Sequence, residues 1–532
     1  MQKKIFLNTK NWYKYTSNNI EILYKGVNAK KNCLKLVQKL NKEKNLTKLT
    51  SHINFYDNNF AIIIKKNEEI FAIVDKIRSY PLLYYYDNNN FILFENYQLI
   101  KNISLNKIVD KKQVLYFSLS GYTFQNGTIY KNIKQINPGT LIHFVSNKVN
   151  KFKYHSFNDK IVKKISNSEQ KLKSINEEII LKLIKSCKGK QIVIPLSAGY
   201  DSRFVLSGLK EYGFDNILTF SYGRKNNREV KIAKALSKKL KVPWHYISYT
   251  NKNLKAIVES KEHQSYEAFA DNLTSIHFPQ DFTAIKYLHE NDIISKNSVI
   301  VNGQSGDFIS GNHLPTLDYK NKNVIKDLVS LYTSKNYNLW NKYYLKNKSK
   351  LNKYILTYIK LNIPNFNKKK NHTLYEILEF ENRQCKYVVN GQRLYEFFNY
   401  EWRLPLWDDL YLDFWATVPQ EEKLNQKLYK ETLHNTNWCG VWNSIPINPK
   451  NSFSLEVKFL RLFFKSFFLF CKKESWHLFE RRYLNYFIDP LCGYAQWNFT
   501  KIISDKKKFR NSLSWETEKY LNKKKIPWES LI

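Results

Sequence analysis

The chain has 532 residues, 43% of them hydrophobic and 16% aromatic, and a formal net charge of +40. That length is too great for a single core and implies two or more domains, while the apolar content excludes a globally disordered chain. Lysine is spread from end to end and not clustered, the pattern of a generally basic surface and not of a nucleic-acid groove.

The opening MQKKIFLNTKNWYKY lacks the apolar stretch of a signal peptide, and no run reaches the length of a membrane span. Six cysteines are scattered without a C-x-x-C pair, which points away from a zinc site or disulfide framework and toward a reducing, cytoplasmic setting. Strands dominate the front of the chain. FAIIIKKNEEIFAIVD (60–75) reads as a hairpin around Lys66-Asn67-Glu68, and YPLLYYYDNNNFILFEN (80–96) repeats the device around Asp87 to Asn90. GYTFQNGTIYKNIKQINPGTLIHF (121–144) adds strands with turns at Asn126-Gly127 and Pro138-Gly139, and the lysine-rich text between 146 and 170 reads as a linker.

From 170 onward, helical stretches alternate with short apolar runs at 192–195, 217–222 and 299–303, the pattern of a parallel sheet with crossover helices. Ligands of such sheets sit beyond the carboxyl ends of the strands. Two loops fall there. PLSAGYDS (195–202) offers small residues and backbone N–H groups at a helix start, an arrangement that suits phosphate. It has no G-K-[ST] and places Asp201 in the turn, which makes sense if a divalent cation lies between acid and phosphate. VNGQSGDFISGN (301–312) supplies a second acid, Asp307, after Gly303, Ser305 and Gly306. Further on, KFLRLFFKSFFLFCKK (458–473) reads as a buried helix whose Arg461 and Lys465 snorkel, in preference to a helix lying on a membrane.

PLSAGYDS resembles the S-G-G-x-D-S pyrophosphate loop of N-type ATP pyrophosphatases, the PP-loop group. TFSYGRKNNREVKIAKALSKKLKVPWHYI (219–247), with Glu229 after its turn, is similar to the next strand and helix of asparagine synthetases. NGQSGDFISG resembles their S-G-E-G-x-D-E-x-x-G-G loop. Glu401, Arg403, Pro405, Asp408 and Lys427 match their E-x-R-x-P-F-L-D segment and the lysine after it. The front half is similar to the family's class II glutaminase domain, through FAIIIKKNEEIFAIVDKIRSYPLLYY and GTIYKNIKQINPGTLIHF. The likeness runs in order from about residue 20 to 435 and leaves out the tail from 450.

The resemblance implies a mixed α/β and α+β chain of three parts. Residues 1–165 would be a degenerate glutaminase-like sandwich of the N-terminal-nucleophile type. Residues 170–450 would be the ATP pyrophosphatase domain, and 451–532 a helical extension. It also implies chemistry: ATP and Mg²⁺ convert a carboxylate to an acyl-adenylate and pyrophosphate, and an amine or ammonia then forms the amide. Ser197, Gly199 and Ser202 would bind pyrophosphate, and Asp201 and Asp307 would hold Mg²⁺. Lys427 would add charge to the leaving group, and Phe220, Ser221 and Gly303 would face the nucleoside.

Three departures matter. The nucleophilic cysteine that follows the initiator methionine in the glutamine-using enzymes is Gln2 here, and Cys33 lies far inside the domain. Gln304 replaces the acid of S-G-E-G, which is thought to take a proton from the incoming amine; an amide cannot. Glu379, Glu381, Glu401 and Tyr395 are candidate substitutes, a set similar to the Tyr/Glu pair of β-lactam synthetases, which also lack the cysteine. Phe308 replaces the second acid of that loop. Arg203 is read either as a substrate or phosphate contact or as a helix-surface residue, and His245 and His313 as structural.

The expected protein is thus an amide-forming ligase without its own glutaminase. It would take a small-molecule or saccharide carboxylate, in surface-polysaccharide or secondary-metabolite synthesis, as a possible homodimer with no nucleic-acid partner. The alternatives are an ammonia-dependent asparagine synthetase and a PP-loop enzyme that modifies RNA. Purified protein is expected to release no glutamate from glutamine, with or without ATP. Release at a rate comparable to the ligase reaction, and lost on altering the front domain, would contradict this.

Overall fold

A computed structural model describes residues 2–17, 19–40, 59–87, 89–157, 166–225, 227–317, 324–363, 366, 371–448, 455–471 and 473–532. In the front half, β1 (Gln2–Phe6), β6 (Leu83–Tyr86), β7 (Asn90–Phe94) and β8 (Ile133–Gln135) form one sheet in the order β1-β7-β6-β8. The second sheet runs β10-β9-β5-β4-β3-β2, from β2 (Tyr13–Ser17), β3 (Ile20–Gly26), β4 (Phe60–Lys66), β5 (Glu69–Val74), β9 (Thr140–Val145) and β10 (Lys148–Lys153). Strand alternation explains the layering. Ala61 and Ile63 of β4 face Leu93 and Phe91 of the first sheet, while Ile62 and Ile64 face Cys33 and Leu36 of helix α1 (Ala29–Leu40). The far side of the first sheet packs under α2 (Lys111–Ser120). The order is helix, sheet, sheet, helix.

Both expected hairpins form, β4–β5 with Asn67 at φ +51° and β6–β7 across Asp87. Two expectations are corrected. Residues 121–132 make only isolated bridges, because their backbone turns aside to meet the rear half, as where Thr123 N–H donates to Thr274 O at 2.7 Å. The stretch read as a linker begins with β10, which pairs antiparallel with β9; residues 158–165 of it lie outside the described residues.

The rear half is built on a five-stranded, wholly parallel sheet in the order β13-β12-β11-β14-β15. Its strands are β11 (Ile192–Pro195), β12 (Ile217–Gly223), β13 (Trp244–Ser248), β14 (Val299–Val301) and β15 (Glu401–Arg403). Helices α3 (Ser168–Ser186), α4 (Tyr200–Glu211) and α5 (Arg228–Lys239) cover it. The chain's last residues are part of this body: Trp515 and Trp528 pack on Trp340 with ring centroids 5.4 and 6.0 Å away.

A seam of buried charge joins the halves. Lys25 lies 2.5 Å from Glu95 and 3.1 Å from Glu396, and Arg393 donates to Ser79 O at 2.7 Å. Arg78 donates to Cys385 O at 2.9 Å and to Thr274 Oγ1 at 3.1 Å. Asp75 sets the loop that carries Arg78, accepting from the N–H groups of Phe60, Ile77 and Ser79 at 2.8, 2.9 and 3.0 Å. Burial pushes its carboxyl up to about 6 in spite of these donors. Asp75→Ala strands three buried N–H groups and should cost about 3 kcal/mol or more. A lower urea midpoint is expected, and an unchanged midpoint would contradict this account of the loop.

Candidate functional site

The carboxyl ends of β11 and β14 lie side by side, so the loops after them meet. After β11, the chain turns through Ser197-Ala198-Gly199 into α4. Within this turn Ser197 N–H and Ser197 Oγ each lie 3.1 Å from Ser202 Oγ, and Gly199 N–H donates to Ser197 Oγ at 3.1 Å. Ser197 is exposed, and the helix begins at Tyr200, so the Ser197 side chain lies at the surface beside a positive helix end.

After β14, Gly303 and Gly306 press against this turn. A Cβ on Gly303 would meet the Asp201 backbone at 2.7 Å, and one on Gly306 would meet Asp201 Oδ1 at 2.5 Å. Between them Ser305 sits at φ +102°, a costly conformation for a residue with a side chain, and is tied down by donating to Gln384 at 2.9 Å. The result is a direct bond: Asp307 N–H donates to Asp201 Oδ2 at 3.0 Å. Tyr429 OH donates to Asp201 Oδ1 at 3.1 Å. Burial first, and the neighbouring Asp307 carboxylate second, push Asp201 up to about 8.

Asp307 is steadied differently. His313 Nε2 lies 3.0 Å from Asp307 Oδ2, and its Nδ1 bonds the buried Glu379. Burial opposes protonation of His313, but Glu379 and Asp307 outweigh it and push the imidazole up to about 9. Glu379, though buried, is held down to about 2 by His313, Arg383 and Lys335. His313 therefore stands as an imidazolium between two carboxylates. It was read from the sequence as structural, and only its position six residues after Asp307 could have signalled otherwise.

The remaining predicted residues divide. Lys427 is exposed at the start of α8 (Lys427–Thr436), between Gln426, which donates to Ser310 at 2.7 Å, and Tyr429, which reaches Asp201. Ser221 Oγ donates to Leu196 O at 2.7 Å and Phe220 is fully buried, so each meets a ligand, if at all, through backbone. Gln304 accepts from Gln392 Nε2 at 2.9 Å and its N–H donates to Asn302 at 2.9 Å. Glu401 is corrected: β15 runs parallel to β14 with Glu401 opposite Val299, which puts it at the sheet end away from the loops, paired with Lys190 and Arg403. Glu381 faces Gln125, Lys153 and Tyr358, and Glu379 serves His313. Among the four candidate bases, Tyr395 adjoins the Gln304 loop. It accepts from Asn302 at 3.1 Å and donates at 2.7 Å to the buried Asp281, which sequence reasoning missed.

Arg203 is neither a ligand contact nor on the surface. It is buried and donates to the carbonyls of Val441, Ile445 and Pro446 at 3.0, 2.7 and 2.7 Å. It thereby holds a segment whose Asn448 N–H donates to Ala198 O at 3.0 Å, against the phosphate-type turn. Phe308 packs among Phe157, Phe380 and Trp407.

Residues 189–436, which hold both loops and Lys427, match the family model of asparagine synthase. That segment, a little under half of the chain, is thus similar to asparagine synthase domains. A Methanocaldococcus jannaschii protein named "Putative asparagine synthetase (glutamine-hydrolyzing) 2" is 23% identical over 277 residues, 51% of this chain and 52% of that protein. The chain thus matches about half the length of this curated relative. Among solved structures, an NH3-dependent NAD synthetase from Campylobacter jejuni aligns over 41% of this chain and 94% of its own, with 15% identity and a TM-score of 0.23. A glutamine phosphoribosylpyrophosphate amidotransferase from B. subtilis aligns over 47% and 75%, with 8% identity and a TM-score of 0.18. Both scores lie below the level at which a shared fold follows.

Gly306→Ala should push Asp201 out of place. A destabilisation of about 1–3 kcal/mol is expected from overpacking against a fixed carboxylate. A melting temperature equal to that of the unsubstituted protein would show that the two loops are not locked together.

Proposed function

We propose that the protein is an ATP-dependent, asparagine synthetase-like ligase that adenylates a carboxylate and passes the acyl group to an amine or ammonia. The observation that carries this is the Asp307–Asp201 contact at 3.0 Å, which gathers two carboxylates beside the Ser197–Ser202 turn at the carboxyl end of a parallel sheet. The asparagine synthase match over these residues supports the reaction class.

The donor set fits Mg²⁺. Burial, and then the neighbouring Asp307, push Asp201 up to about 8, and a divalent cation beside the pair would favour the doubly charged form. The Asp307 side chain is 47% exposed and open to a phosphate-bound ion. Asp201 and Asp307 would hold the metal, which when bound neutralises the leaving pyrophosphate. Ser197, Gly199 and Ser202 bind pyrophosphate oxygens through hydroxyl and N–H groups, and Lys427 adds a mobile positive charge at the rim. Phe220, Ser221 and Gly303 border the nucleoside through their backbones.

The second half-reaction needs a proton acceptor, and Gln304 offers an amide engaged by Gln392. Tyr395 does not replace it readily: burial and the Asp281 carboxylate push its hydroxyl well above the ordinary phenol range. The two half-reactions should therefore separate under mutation. In ATP–pyrophosphate exchange over a panel of carboxylic acids, Asp201→Asn should abolish exchange and Gln304→Glu should change it only a few-fold. Gln304→Glu should raise ammonia-dependent product formation by about 10² to 10⁴-fold if that base alone is missing. Equal exchange in Asp201→Asn and the unsubstituted protein would sink the metal assignment. Loss of exchange in Gln304→Glu would make Gln304 a substrate or metal-shell contact instead.

A further inference from the structure

Helix α9 (Leu455–Ser466) is followed by residues 467–471 and then by α10 (Lys473–Phe479). The sequence suggests that its aromatic residues are buried, and the structure shows otherwise. One side of α9 is fastened down: Phe464 lies 5.3 Å from Phe479, Phe468 lies 5.8 Å from Trp476, and Arg461 pairs with Glu480. The opposite side carries Phe459, Leu462 and Phe463, and the segment continues through Phe467 at 67%, Leu469 at 72% and Phe470 fully exposed. Contiguous large apolar side chains facing water mark an interaction surface and are not an ordinary feature of a soluble face.

We propose that this face docks on an anionic lipid bilayer, with α9 lying in the plane of the interface. Charge supports this occupant. Between Val457 and Phe487 there are seven lysines and arginines against two glutamates, on a chain of net charge +40. Glu480 and Arg461 neutralise each other, which leaves six cationic residues against Glu474. Shape supports it too. Phe459, Phe463, Phe467 and Phe470 are each 60% or more exposed, so their rings suit insertion among acyl chains, and Lys458 and Lys465, both exposed, would lie at headgroup depth. No described helix is long and apolar enough to cross a membrane, and the contact proposed is a peripheral one. Arg461 and Glu480 also line a cavity of about 460 Å³, together with Tyr249, Gln280, Thr283 and Gln496, between this helical pair and the edge of the parallel sheet. Docking would bring that cavity close to the lipid.

The test is co-sedimentation of the full chain with vesicles of phosphatidylglycerol and phosphatidylcholine, against phosphatidylcholine alone, at physiological salt. The chain should bind the anionic vesicles. The triple variant Phe463→Ser, Phe467→Ser, Phe470→Ser keeps every charge and, with exposed side chains replaced, its melting temperature. It should lose about tenfold or more of the partitioning, since insertion and not charge alone holds the helix. Equal partitioning of the triple variant, or no binding by the unsubstituted chain, would overturn the proposal. So would a dimer in light scattering that the triple variant converts to monomer, because a second copy would then cover the face.

Discussion

The site depends on the absence of two side chains. Gly303 and Gly306 lie so close to Asp201 that a methyl group on either would overlap it by more than a thermal adjustment can absorb. That closeness lets the Asp307 N–H reach the Asp201 carboxylate and sets the two carboxylates side by side. Asp201 is buried against its neighbour and pushed up, while Asp307, partly exposed, is held down by His313 and Arg383 against its own burial. The strain at Ser305 belongs to the same approach, and Gln384 and the packed Phe308 hold the loop in it.

That loop is in turn supported from the front half. Arg78 and Arg393 reach across the seam, and Lys25 is shared between Glu95 of the front half and Glu396 of the rear. Buried charges of this kind are weak evidence for stability but costly to break singly, because a lost partner leaves an unpaired charge in a low dielectric. They make the front half part of what supports the loops of the rear half. Cys33, its one cysteine, is buried in the core under α1, where burial pushes the thiol up to about 11.

Much of this was legible in the sequence. The hairpins at Asn67 and Asp87 announce themselves by alternation and turn residues, and the order of the two loops on an alternating α/β pattern places them at one sheet end. What was not legible is long-range pairing. His313 reads as a lone histidine until Glu379 arrives from another helix, and Arg203 reads as a surface residue until three carbonyls from 441–446 close over it. Glu401 was misplaced because a motif fixes sequence order, whereas the end of the sheet at which a residue stands depends on strand register. The aromatic segment 458–473 reads as buried because periodicity identifies an apolar face without saying what lies against it.

The substitutions in the second loop share one electrostatic direction. Relative to the pattern it resembles, the loop has lost two acids, to Gln304 and Phe308, and His313 adds a positive charge beside the remaining one. Fewer negative charges near the Ser197–Ser202 turn lower the repulsion that incoming phosphates meet, an advantage for nucleotide binding and the first half-reaction. The same loss removes the group suited to deprotonate an amine, a disadvantage for the second. In the reaction proposed above, a site altered in this way would suit an acceptor that arrives already neutral, or one of low basicity, because such a nucleophile asks little of position 304.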